Sequence, residues 1–130
     1  MEKMKEVENM ENKEFVEYQE GLEEGKKELV RKFYNSLVYQ GVDLKEIDKL
    51  IIKDVGLINR YTRVIAIKNG EVIKDVVERE DRRLVGILYR QQHIIEEKTG
   101  LKIRREVLFK RERVLPTLLY EWNIDCTEII

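Results

Sequence analysis

The amino-acid sequence predicts an α+β protein in which an N-terminal αα-hairpin precedes a β-β-α-β-β unit with a mainly antiparallel four-stranded sheet. Three observations predict this class. A long N-terminal segment has apolar residues at helical spacing, the pair Asn69-Gly70 separates two segments that alternate apolar and polar residues, and a further helical pattern precedes two more alternating segments. Residues 1–56 are therefore predicted to form a helical hairpin, and residues 57–130 a sheet domain.

The first predicted helix covers residues 3–40, a segment without proline. Its apolar residues recur at spacings of three, four and seven, so they lie on one face of a helix, flanked by Glu and Lys. These residues are Phe15, Tyr18, Leu22, Leu29, Phe33 and Leu37. Gly25 falls on the same face, where it either weakens the helix locally or lets another helix approach closely.

A second, shorter helix is predicted after Gly41, a residue suited to ending the first helix. Asp43 has the character of a helix N-cap, and Glu46 stands three residues later, as in a capping box. Gly56 is expected to end this helix. Its buried side would contain Leu44, Ile47, Leu50 and Ile51.

Residues 61–68 and 72–77 are predicted to form a β-hairpin. The pair Asn69-Gly70 between them is a strong signal, because both central residues of a type I′ turn need positive φ, which Asn and Gly tolerate. The hairpin therefore marks where the sheet domain begins.

A further helix is predicted over residues 79–99, ended by Gly100. One face of this helix contains Leu84, Ile87, Leu88, Gln91, Ile94 and Ile95. Val85 and Tyr89 form a second apolar strip. Because a helix that is apolar on two sides usually packs on two sides, the second strip predicts contact with another molecule.

The last two predicted strands lie within residues 101–113 and 117–124. In the first of them apolar and charged residues alternate, as expected for a strand with one buried face. The apolar side contains Ile103, Val107 and Phe109, and the charged side contains Lys102, Arg104, Glu106 and Lys110. Arg105 is the exception, since it falls on the apolar side.

The composition predicts a cytoplasmic protein without a membrane segment or a cofactor. Charged residues make up 39% of the chain with a formal net charge of -1, and no apolar run reaches the length of a signal peptide or a membrane span. Cys126 is the only cysteine and His93 the only histidine. Disulfide frameworks, cysteine-rich zinc sites and paired-histidine metal sites are therefore not expected.

Basic residues are concentrated in one region. Residues 60–113 contain 15 basic and 9 acidic side chains, whereas residues 1–59 contain 10 basic and 14 acidic ones. A row of cations on a sheet face would contact the phosphates of a nucleic acid or an acidic protein surface. The proposed contact residues are Arg82, Arg90, Lys102, Arg104, Lys110, Arg111 and Arg113. The alternative is an ordinary solvated face whose charges protect the sheet edge.

The order hairpin, helix and strand resembles the core of restriction-type nucleases. In that family an Asp on the first hairpin strand and an acid two residues before a Lys on the second strand hold a divalent metal. Here residues 61–68 contain no carboxylate, and Val72 stands two residues before Lys74, although Asp75 follows directly. A degenerate or active metal-dependent nuclease-like domain is therefore the alternative function.

Self-association is the other expected property. The long first helix has more apolar residues on one face than a short domain needs, and the acidic N-terminal segment complements the basic region. The predicted interface of a dimer contains Phe15, Tyr18, Leu22, Gly25, Leu29, Val85 and Tyr89. The sequence thus favours a small, non-catalytic binding or regulatory protein that forms homodimers and engages a protein or nucleic acid with a basic sheet face.

Overall fold

A computed structural model of the chain describes residues 2–55, 61–79, 83–112 and 115–128, and it describes side chains for 13–55, 61–78, 83–107 and 120–128. The order of elements is α1 (Glu2–Tyr39), a 3₁₀ turn (Leu44–Glu46), β1 (Lys49–Val55), β2 (Tyr61–Lys68), β3 (Glu71–Arg79), α2 (Arg83–Thr99), β4 (Lys102–Glu112) and β5 (Leu115–Asp125). The strands form one antiparallel sheet in the order β3-β2-β1-β5-β4. The predicted α+β class and antiparallel sheet are confirmed.

Both helices lie on one face of this sheet. Burial alternates along β1, where Leu50 and Ile52 are fully buried and their neighbours are partly exposed. Ile52 is paired with Val64 of β2 and with Trp122 of β5, and these side chains form the sheet side of the core. The residues that the helices contribute to this core are Phe33, Leu37, Leu84, Val85, Leu88 and Ile95.

The two helices run in opposite directions. Near the C-terminal end of α2, Lys98 Nζ lies 2.6 Å from Glu23 Oε2 of α1. At the other end of the pair, the guanidinium of Arg83 lies 5.6 Å from the ring centre of Tyr39. The part of α1 that packs on α2 therefore begins near residue 23.

The predicted second helix is wrong, because most of that segment is a strand. Asp43 does cap a helical turn by accepting a hydrogen bond from Lys45 N at 3.0 Å, but the turn ends at Glu46. The following residues form β1, which pairs with strands on both sides and becomes the centre of the sheet. The sheet therefore has five strands rather than four and begins before residue 56, and no αα-hairpin forms at the N-terminus.

Other predicted elements are confirmed with small changes in their bounds. Asn69 and Gly70 have φ of 51° and 76°, as the hairpin turn requires, and Gly41 ends α1 with φ of 77°. α2 begins at Arg83 rather than at residue 79, which is the last residue of β3. Within α2, Gln91 has a non-helical backbone (φ -135°, ψ 24°), so the helix is kinked there.

Substituting two glycines with alanine is expected to change the free energy of unfolding in opposite directions. Gly70→Ala should lower it by about 1 kcal/mol, because its φ of 76° is strained for a residue with a Cβ atom. Gly86→Ala should raise it by up to about 1 kcal/mol, because Gly86 is helical and a Cβ there makes an ordinary contact at 3.7 Å. Urea denaturation of both variants measures these changes, and equal signs would contradict the prediction.

Candidate functional site

The first half of α1 extends beyond the rest of the fold. Because α2 ends near Glu23, residues 2–22 lie past the helix pair, a length of about 30 Å at roughly 1.5 Å per residue. Every side chain from residue 13 to residue 22 is exposed. Among them Phe15, Tyr18 and Leu22 are 60%, 63% and 41% exposed, which is unusual for large apolar side chains on one helix face.

These three residues continue the face by which α1 packs on the core. Farther along the same face, Leu29 is partly buried and Phe33 is completely buried. A Cβ atom added at Gly25 would meet nothing within 4 Å, so no other part of the described chain approaches that glycine. Phe15, Tyr18, Leu22 and Gly25 together are named the α1 strip. It is a helix face built like a packing surface and left uncovered in the isolated chain.

The two residues of the predicted second strip on α2 both make contacts within the chain. Val85 is completely buried in the core. Tyr89 donates a hydrogen bond from its hydroxyl to Asp54 Oδ2 at 2.6 Å, and its ring packs edge-on against Trp122 with centroids 4.8 Å apart. Val85 is therefore not available to a partner in this fold, whereas Tyr89 is partly exposed and its place in an interface stays a prediction.

The face of the sheet away from the helices has mixed charge. Arg63 binds Asp75 through two hydrogen bonds of 2.8 and 2.6 Å, and Lys53 Nζ lies 3.6 Å from Glu121 Oε1. Arg104 pairs with its neighbour on the same face, Glu106, at 3.2 Å. Carboxylates therefore stand beside most of the cations on this face.

The predicted cations do not form one row. Lys102 pairs with Glu128 at 3.0 Å, and the guanidinium of Arg104 lies 3.2 Å from the carboxylate of Glu106. These two cations of the outer face are therefore partly neutralised. Arg90 lies on α2, on the opposite side of the sheet. Arg82 and Arg113 lie outside the described residues, and the same holds for the side chains of Lys110 and Arg111.

A cleft between α2 and β4 collects a different set of polar side chains. Its volume is about 410 Å³, and it is lined by Leu88, Tyr89, Arg90, Gln92, His93, Glu96 and Arg105. Arg105 reaches it because the residue faces the helix layer, as does its cross-strand partner Trp122. The sequence showed Arg105 as an exception to the alternation of its strand, and that exception was the available signal for this site.

The acidic residues of β3 lie apart from one another in the described structure. The Arg63 guanidinium holds the pKa of Asp75 below its ordinary value, mainly by hydrogen bonding. Lys74 faces the other side of the sheet, and its ammonium lies close to Gly41. Within the described residues, no three His, Cys, Asp or Glu side chains converge on a point that could hold a metal ion.

Cys126 has the surroundings of a structural thiol. It is buried directly after β5, and its Sγ lies 3.7 Å from the Ile124 carbonyl oxygen, to which the thiol donates. Burial, together with the carboxylates of Asp125 and Asp48, raises the pKa of the thiol to about 12. A thiol of this kind is a weak nucleophile at neutral pH.

Comparison of the chain with protein-family models, with curated proteins and with solved structures gave no match. In the part of the chain that the structure describes, neither α1 nor α2 combines the length and the apolar character needed to cross a membrane. The α1 strip and the cleft between α2 and β4 are the two candidate functional surfaces of the described chain.

Proposed function

We propose that the chain is a non-catalytic binding protein that forms a homodimer through the α1 strip and engages a second partner, a protein or a nucleic acid, with basic side chains. The observation that supports self-association is the exposure of Phe15, Tyr18 and Leu22 on the face that packs internally farther along α1. A helix segment without tertiary contacts is marginal in water, because most helical stability in proteins comes from packing of the apolar face. A covering surface would stabilise this segment.

The occupant that the α1 strip fits is a second copy of itself in antiparallel orientation. If two α1 helices cross with residue 20 of each at the symmetry axis, Tyr18 of one lies opposite Leu22 of the other. The same register puts Phe15 opposite Gly25, so that the largest side chain meets the position with open space. The spacing of three, four and three residues along the strip is that of alternating a and d positions in a coiled coil.

Leu22→Glu is expected to convert the dimer to a monomer, with a dissociation constant at least about a hundredfold higher, because a carboxylate would be buried in the centre of the apolar contact. Val38→Glu is the matched control: Val38 is 66% exposed on the same helix but does not lie on the α1 strip. Analytical ultracentrifugation at several concentrations measures both variants. A wild-type chain that remains monomeric at all accessible concentrations would overturn the proposal.

The orientation has a separate test by disulfide cross-linking. A mixture of Tyr18→Cys and Leu22→Cys chains should form the mixed disulfide under mild oxidation, since these positions are opposite each other in the antiparallel register. Cys126 is buried and does not compete. Tyr18→Cys alone cross-linking as efficiently as the mixture would indicate parallel helices, and would contradict the antiparallel register.

A further inference from the structure

We infer that the cleft between α2 and β4 is a binding site for a phosphate group. Two guanidinium groups, those of Arg90 and Arg105, line this cleft from opposite walls. Neither forms an ion pair within the described residues, whereas Arg31, Arg63 and Arg104 all do. Among the described residues that line the cleft, Glu96 is the one carboxylate, and it accepts a hydrogen bond from Gln92 Nε2 at 3.0 Å.

The position of Arg105 is unusual for a cation on a strand. Its neighbour two residues before, Ile103, is buried, and its cross-strand partner Trp122 is fully buried, so Arg105 occupies the inward-facing side of the edge strand. Its side chain nevertheless stays exposed by opening into the cleft. Because the guanidinium is exposed in the cleft and has no acidic partner among the described residues, it is available to contact a ligand there.

Arg90 lies on the opposite wall of the cleft, which α2 forms. One guanidinium nitrogen of Arg90 lies 3.7 Å from the place where a Cβ atom of Gly86 would be, so the side chain folds back along the helix over that glycine. The next residue, Gln91, is the kink of α2, with φ of -135° and ψ of 24°. No proline or glycine stands at the kink to explain it, and distorted backbone inside a helix is frequently found at functional sites.

A phosphate group is the ligand chemistry that these residues fit. Guanidinium groups bind phosphate oxygens with paired hydrogen bonds, which ammonium groups cannot do, and His93 adds a ring nitrogen on the same side of α2. A cleft of about 410 Å³ exceeds the size of a bare phosphate and lies in the range of small-molecule sites. Glu96 can accept hydrogen bonds from hydroxyl or amino groups attached to that phosphate.

The phosphate therefore belongs either to a small phosphorylated molecule, such as a nucleotide, or to the backbone of a nucleic acid. The site is separate from the α1 strip, and a failure of dimer formation does not affect it. Because His93 is the only histidine of the chain, its imidazole resonances report on the cleft without ambiguity. The probes are inorganic pyrophosphate, a nucleoside monophosphate and a short single-stranded oligonucleotide, each titrated while the His93 resonances are followed by NMR.

The expected result is a saturable shift of the His93 resonances. Arg105→Gln should weaken the binding by about tenfold to a hundredfold, since it removes one charged hydrogen-bonding partner of the phosphate. Arg63→Gln is the matched control: it removes the same charge from the outer face of the sheet, away from the cleft, where Arg63 is paired with Asp75. Circular dichroism shows whether each variant is folded.

The probes distinguish the two sources of phosphate. A nucleic-acid backbone predicts that the oligonucleotide binds far more tightly than the monophosphate and loses affinity steeply with salt. A small phosphorylated ligand predicts the reverse order. The inference is overturned if none of the probes shifts the His93 resonances, or if Arg63→Gln weakens the binding as much as Arg105→Gln.

Discussion

Cys126 is expected to react with iodoacetamide about a thousandfold more slowly in the folded chain than in the unfolded chain at about pH 8. The thiolate is the reactive form, and the folded structure raises the pKa of this thiol from its ordinary value of 9.0 to about 12. The difference of about three pH units reduces the thiolate fraction by about a thousandfold. Alkylation followed by mass spectrometry, with and without urea, measures the ratio.

The same pKa shift makes stability depend on pH in a defined window. Between about pH 9 and pH 12 the folded chain keeps the Cys126 proton while the unfolded chain loses it, so the free energy of unfolding falls as pH rises, by up to about 1.4 kcal/mol per unit. Other groups also titrate in this range, and Cys126→Ala is the control that lacks this contribution. Parallel curves for the two proteins, or rapid alkylation of the folded chain, would contradict the prediction.

Trp122→Ala is expected to lower the free energy of unfolding by about 3–5 kcal/mol, the largest effect of a single substitution in the described core. Trp122 is fully buried at the middle of the sheet, where it is paired with Ile52. Its ring also packs edge-on against Tyr89 at 4.8 Å and lies 6.2 Å from Tyr120. Alanine would leave a cavity among several aromatic rings that cannot close by moving one side chain.

Trp122→Phe is expected to cost much less. The indole Nε1 is buried without a hydrogen-bond acceptor among the described residues, so the wild-type chain already bears the cost of an unsatisfied donor, about 1–3 kcal/mol. Phenylalanine removes that donor and keeps most of the ring. Tyr39→Ala is the control for truncating an aromatic side chain: it is 72% exposed and should change stability by less than about 1 kcal/mol. Urea denaturation of the three variants tests the order, and a Phe variant as unstable as the Ala variant would contradict it.

The elements that sequence patterns predicted correctly are those with strong local signals. The long helix shows many turns of regular apolar spacing, and the Asn69-Gly70 turn has a backbone requirement that few residue pairs meet. β1 was missed because Leu44, Ile47, Leu50 and Ile51 stand at helical spacing, although Leu44 and Ile47 precede the strand. A short apolar run adopts whichever state its neighbours favour, and here the strands on both sides decided it.

The candidate sites depend on contacts that local patterns do not contain. The hydrogen bond between Tyr89 and Asp54 joins residues from different layers, which no local pattern indicates. Likewise, the sequence does not indicate that Glu128 stands beside Lys102. The pairing of Arg104 with Glu106 is different, because residues two apart on a strand share a face, and that pair could have been recognised from the alternation.

The position of β1 at the centre of the sheet has a consequence for the assembly of the fold. The pairs β2–β3 and β4–β5 are hairpins of neighbouring strands, so each forms from a short loop. The two halves of the sheet meet only through β1, for example where Leu50 pairs with Ile124, and these residues are separated by more than half of the chain. Closing so long a loop carries a larger chain-entropy cost than closing either hairpin. The docking of β5 onto β1 is therefore the folding step with the highest loop-closure entropy cost.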